Sequence, residues 1–217
     1  KIRSFFSNLP MQKAVYNLPK IPTESRQMAF SISSGVQYNI KSWDLEDLHT
    51  TYTGKLQVLK TVLNLEYLWN AIRIQGGAYG CGCNFQRNGG MYFYSYRDPN
   101  IKRTYSVYNE LAKKLETFTA DKREMTKYIL GTINRFDQLK TNSEWLEYVA
   151  AIYFSGISHA QRCQERMEIL KTTADDIRNF TQMMQEFSKT NNICTIGGEE
   201  KIQAEVDLFQ ELDHLIS

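Results

Sequence analysis

Arg73-Ile74-Gln75-Gly76-Gly77-Ala78-Tyr79-Gly80, then the tyrosine-rich run Met91-Tyr92-Phe93-Tyr94-Ser95-Tyr96 and the tetrapeptide Arg97-Asp98-Pro99-Asn100, decide how this chain is read. Upstream of them, Leu56, Leu59, Val62, Leu63, Tyr67, Trp69 and Ile72 recur mostly at helical spacing from Lys55, as a helix with one apolar face requires. Gly76-Gly77 ends that helix near Arg73, because glycine accepts the left-handed backbone of a helix terminus. A strand is predicted from about Gly80 to Gln86. Arg87-Asn88-Gly89-Gly90 then makes a hairpin turn, since Asn-Gly and Gly-Gly tolerate positive φ. Met91 to Tyr96 is the returning strand. An arginine at a helix end and a tyrosine at a strand start thus stand six positions apart across a glycine bend.

Toward the N-terminus, residues 1–25 hold three of the four prolines, which excludes a continuous helix or a central strand. They read as an extended lead-in or linker, and 26–217 as a single domain. Met28, Phe30 and Ile32 alternate with small or polar residues, and Val36, Tyr38 and Ile40 repeat the pattern. That period of two predicts two strands, or one strand broken by a bulge. Toward the C-terminus the spacing turns helical. Tyr105, Tyr108, Leu111, Leu115 and Phe118 form one stripe; Met125, Ile129, Ile133 and Phe136 a second, with Asp121 favouring its start; Trp145, Val149, Ile152 and Tyr153 a third, closed by Gly156. Ser158 and Gln161 have capping-box spacing for a fourth helix. A fifth is predicted from Thr173 with Ile177, Phe180, Met184 and Phe187 buried, then a short strand at 192–196 and a last helix from about Glu199. Strands and helices are partly segregated and the hairpin pairs antiparallel. The expected fold is therefore α+β, a mainly antiparallel sheet covered by helices.

Composition removes several function classes. The 217 residues are 42% hydrophobic and 23% charged, with a net charge of +2. That charge is too small to argue for nucleic acid or an anionic membrane, and no apolar run approaches the ~20 residues of a membrane span. Cys81, Cys83, Cys163 and Cys194 lack zinc-ribbon spacing and read as free thiols. His49, His159 and His214 have no second histidine within four residues, so a zinc site is not expected in this chain. The glycines follow a helix and precede a strand, the reverse of a phosphate-binding loop. The chain opens at Lys1 rather than Met, which predicts a piece of something longer.

Two readings stand for each residue of the glycine bend. Arg73 is either a helix-end cation on its own carbonyls or a donor fork for a substrate carbonyl or carboxylate. Tyr79 is either packed over the sheet edge or free to donate its hydroxyl to a carbonyl gaining negative charge. Gly76, Gly77 and Gly80 favour the second reading by letting another backbone come close. The tetrapeptide Arg97-Asp98-Pro99-Asn100 reads as structural, with Asp98 or Asn100 capping the next helix and Pro99 in its first turn. The stripe Tyr92, Tyr94, Tyr96 reads as core.

The combined motif, from Arg73 through Gly80 and from Tyr94 through Asn100, resembles the C-terminal domain of the presequence protease and falcilysin group of pitrilysin-like zinc metallopeptidases (family M16). The likeness is strongest over 54–138. It implies an M16 (LuxS-like metallohydrolase) fold and a zinc metalloendopeptidase that degrades unstructured oligopeptides. It implies zinc held by another domain through His-x-x-Glu-His, with none bound here. It assigns Arg73 and Tyr79 to the active site, and Arg73, Tyr79, Gly76 and Gly77 to binding of the peptide substrate. The implied partners are the remaining M16 domains of the same polypeptide or of a partner chain. The implied setting is the bacterial cytoplasm or an organellar matrix. This chain alone is then expected to be inactive. The alternative is a non-catalytic M16-like interaction subunit.

Overall fold

The computed structural model describes residues 26–215; the expectation for 1–25 lies outside them. Six strands form one sheet. They are β1 (Gln27–Ile32), β2 (Gln37–Asp44), β3 (Gly80–Phe85), β4 (Gly90–Asp98), β5 (Ile193–Gly198) and β6 (Glu211–His214). Their order across the sheet is β3-β4-β2-β5-β1-β6. Three of the five pairings are antiparallel and the two that involve β1 are parallel.

Alternation along the strands sorts two faces. Ala29, Lys41, Phe85, Met91 and Phe93 are buried on one of them. Helices pack over that face. The described α-helices are α1 (Lys55–Val62), which continues as a π-helix over Leu63–Ile74, α2 (Lys102–Glu116), α3 (Lys122–Phe136), α4 (Asn142–Phe154), α5 (His159–Leu170), α6 (Ala174–Arg178), α7 (Thr181–Lys189) and α8 (Glu199–Ala204), and α1, α2 and the π-helical stretch supply much of the buried core. Phe93 is the hub, with ring centroids 5.1 Å from Phe187 and 5.6 Å from Tyr108. Tyr92, Tyr94 and Tyr96 lie on the opposite face, half-buried or exposed. The core expectation for that stripe is therefore corrected: the alternate set, Met91 and Phe93, takes the interior.

Local chemistry explains most element ends. The hairpin bond runs from Gln86 N–H to the Gly90 carbonyl at 2.8 Å, and Gly89 sits at φ +96, as a short loop with a left-handed glycine requires. Capping boxes open α3 (Asp121, Glu124), α4 (Thr141, Glu144) and α5 (Ser158, Gln161).

Several expectations fail. The helix predicted from Thr173 is two, because the chain turns at Asn179-Phe180. The last helix stops at Ala204, and an unpredicted strand, β6, follows. The stripe on α4 has no buried residue; Trp145, Val149 and Tyr153 are exposed.

Candidate functional site

The π-helical stretch carries Arg73 to its last turn. Its closing bond, Gln75 N–H to the Asn70 carbonyl at 2.9 Å, spans five residues, the mark of π winding, which is rare and frequent at functional sites. Gly77, at φ +81, then reverses the chain. Its N–H meets the Arg73 carbonyl at 3.0 Å, and the Ala78 N–H meets that of Ile72 at 3.1 Å. Side chains from beyond the hairpin satisfy the rest. Asn100 Nδ2 donates to the Gly76 carbonyl at 2.7 Å, and Arg103 donates to the Gln75 carbonyl at 2.9 Å. The carbonyls of Ile72, Arg73, Gln75 and Gly76 are thus occupied without the Arg73 side chain, whose guanidinium lies over the Trp69 ring at 4.0 Å. A stacked guanidinium keeps its in-plane N–H groups free for a ligand.

Arg73 and Tyr79 line one open recess of about 470 Å³, together with Ile74, Gly77, Ala78 and Arg97. Tyr79 is 60% exposed. Its ring rests edge-on against Tyr96, with centroids 5.5 Å apart. Of the predicted residues, Arg73, Tyr79 and Gly77 come together at the recess. Gly76 does not line it. A Cβ there would meet the Ile72 carbonyl oxygen at 2.3 Å, and one on Gly80 would meet the Tyr96 ring at 2.2 Å. These two glycines make room for the chain's own backbone and ring.

Arg97 is the residue sequence reasoning missed. It is exposed and holds φ +49, a left-handed conformation uncommon for a residue with a Cβ. Its carbonyl accepts the Tyr79 N–H at 3.2 Å, and its guanidinium stands 5.7 Å from the Tyr79 ring centroid. The turn after it is anchored from below. Asp98 is fully buried and accepts from Thr104 Oγ1 at 2.7 Å and from the Asn100 N–H at 2.9 Å. Buried Asn39 donates to the Asn100 carbonyl at 2.9 Å and accepts from Thr195 Oγ1 at 2.9 Å. The structural reading of Asp98 and Asn100 thus survives in altered form. Neither caps α2; its N-cap is Ile101, without a side-chain bond, and Pro99 lies before its first turn.

Two thiols lie on β3, which follows Tyr79. Burial, with Asp98 nearby, pushes the Cys81 thiol up to about 11 against the opposing pull of Arg73. Burial also pushes the Cys83 thiol far up. Neither is an available nucleophile at neutral pH. Among the described residues no group of three His, Cys, Asp or Glu side chains could hold a metal ion, so these residues do not fit a zinc site. No helix among them is long and apolar enough to cross a membrane.

Comparison with known proteins identifies the family. The family model described as the PreP C-terminal domain matches residues 27–199. Protein HypA of Clostridium perfringens is 41% identical over 181 residues, covering 83% of this chain and 19% of that protein. Presequence protease 1, chloroplastic/mitochondrial, of Arabidopsis thaliana is 28% identical over 180 residues, covering 82% of this chain and 17% of that protein. The chain thus spans about a fifth of the length of these relatives. In fold, it is similar to the peptidase M16 inactive domain from Pseudomonas fluorescens, with TM-score 0.63 at 12% identity, over 88% of this chain and 47% of that one. The chain belongs to the presequence-protease C-terminal domain family of the M16 peptidases.

Proposed function

We propose that residues 26–217 form one domain, the C-terminal substrate-binding domain of a longer zinc metalloendopeptidase that degrades unstructured oligopeptides. In this reading zinc is held elsewhere in the polypeptide, the other M16 domains are the partners, and the setting is the bacterial cytoplasm or an organellar matrix. The observation that carries the proposal is the placement of Arg73 and an exposed Tyr79 on one recess of a chain in this family.

The recess suits an extended peptide. Gly77 and Ala78 offer little side chain at its floor, so a backbone can approach. The Tyr79 hydroxyl donates to the carbonyl oxygen of the bond under attack. It contributes most when that oxygen becomes negative, about 2.7–4 kcal/mol for one such donor. The Arg73 fork, held over the Trp69 ring, binds a neighbouring backbone carbonyl and fixes the peptide's register.

The test is Tyr79→Phe in the full-length enzyme. The expected result is kcat lowered about 10²- to 10³-fold with the unfolding midpoint unmoved, because an exposed phenol adds little to stability. Unchanged kcat would overturn the assignment. The chain produced alone is expected to leave a quenched-fluorescent peptide intact; turnover by it with one bound zinc would overturn the division of labour.

A further inference from the structure

We propose that Arg97 is a specificity-determining residue of this recess and makes it prefer a peptide with a carboxylate close to the bond that is cut. The inference rests on the peptide-binding reading of Arg73 and Tyr79. Its own grounds are the conformation of Arg97 and the charge of the lining.

Glycine would hold φ +49 without strain, yet an arginine stands there. Three features fix that backbone. Tyr79 N–H bonds the Arg97 carbonyl, Tyr96 is in register with Gly80, and the buried Asp98 carboxylate locks the turn that follows. The result is a guanidinium exposed at the recess rather than laid along the sheet. Strain held in place by its surroundings is a pointer to use.

The lining contains two guanidiniums and one phenol and no carboxylate. Among the described residues neither Arg73 nor Arg97 forms an ion pair; each sits against a ring face, Trp69 for one and Tyr79 for the other. Ring faces orient a guanidinium without neutralising it. The recess therefore keeps two positive charges beside the phenol in one lining. A carboxylate is the group that pairs with such a fork through two parallel hydrogen bonds. It has two sources in a peptide, an acidic side chain near the cut or the free C-terminus of a short product-like peptide.

The experiment uses the full-length enzyme and matched quenched-fluorescent peptides. One arm compares Glu with Gln at each position flanking the cut; the other compares a free with an amidated C-terminus. The wild-type enzyme is expected to favour the carboxylate form by about tenfold in kcat/KM in one arm, the size of a charge-assisted hydrogen bond, and that arm identifies the source. Arg97→Gln and Arg97→Gly should bring the ratio to about one, and Arg97→Lys should retain part of it. Arg97→Gly also relieves the backbone, so its agreement with Arg97→Gln separates charge from strain. A ratio unchanged in Arg97→Gln, or a wild-type ratio near one in both arms, would overturn the inference. Arg73→Ala and Tyr79→Phe distinguish the two levels. If both leave kcat/KM unaltered on every peptide, the underlying reading fails. If both lower it while the Arg97 variants keep the wild-type ratio, only the role of Arg97 fails.

Discussion

Lys41 is the most testable charge in the molecule. It lies on the helix-covered face of β2, 1% exposed, with Nζ donating to Asn109 Oδ1 at 2.7 Å and to the Ser188 carbonyl at 3.4 Å, and 4.8 Å from the Phe187 ring centroid. Burial lowers its pKa to about 8. The folded chain thus binds this proton less tightly than the unfolded chain, where lysine titrates near its ordinary value. Between about pH 8 and 10.5 the unfolded state holds more protons, so stability rises with pH across that window and levels off outside it. At 1.36 kcal/mol for each tenfold difference in proton affinity, the penalty carried at pH 7 is about 3 kcal/mol. Lys41→Met removes the penalty, and Asn109, which is exposed, can offer its freed Oδ1 to water, so the variant should be at least as stable as wild type at neutral pH. The pH dependence separates them. In urea unfolding followed by circular dichroism, wild type should gain on Lys41→Met by about 3 kcal/mol between pH 7 and 10.5. Phenol and thiol ionisations are common to both and cancel. Parallel curves, or a wild type that loses ground as pH rises, would refute the reasoning.

Three other outcomes follow from the site and its supports. Asp98→Ala leaves Thr104 Oγ1 and the Asn100 N–H without their buried acceptor and should cost about 3 kcal/mol, read as a lower urea midpoint; a midpoint within error of wild type would refute that anchoring role. Gly80→Ala drives a Cβ into the far end of the exposed Tyr96 ring, which must swing aside, so stability should fall by no more than about 1 kcal/mol while kcat of the full enzyme falls as the Tyr79–Tyr96 contact shifts. Among Cys81, Cys83, Cys163 and Cys194, only Cys163 is exposed, and burial raises the thiol pKa of the other three. Ellman's reagent at pH 8 should therefore show one fast thiol, absent in Cys163→Ser.

What could be read from the sequence was what neighbouring residues settle between themselves. Asp121 and Ser158 announce helix starts because the groups they bond lie three residues away, at Glu124 and Gln161. Asn88-Gly89 marks the hairpin for the same reason. The bend between Arg73 and Tyr79 was legible as an arginine and a phenol brought near each other. The parallel pairing of β1 with β5 was not, because Gln27 meets Ile193 across the whole fold and alternation carries no partner identity. The covering of a helix is equally silent, as the bare stripe of α4 shows. Arg97 was invisible as a recess residue because a left-handed turn at arginine has no composition signal. The π winding did leave a trace. The buried residues Leu63, Leu68 and Ile72 are spaced by five and then four, wider than the 3.6 of an α-helix, while Trp69, taken for the apolar face, is 45% exposed.

That wide winding fixes the angular phase at which the chain delivers its arginine. Each residue added to or removed from an α-helix turns everything beyond it by about 100°. A one-residue deletion between Leu63 and Trp69 that let the segment relax to ordinary winding would leave Arg73 beside Trp69, four residues apart, but turn the pair together relative to the recess. The segment works as a spacer whose length is counted in single residues. In this part of the fold, insertions and deletions do more harm than substitutions.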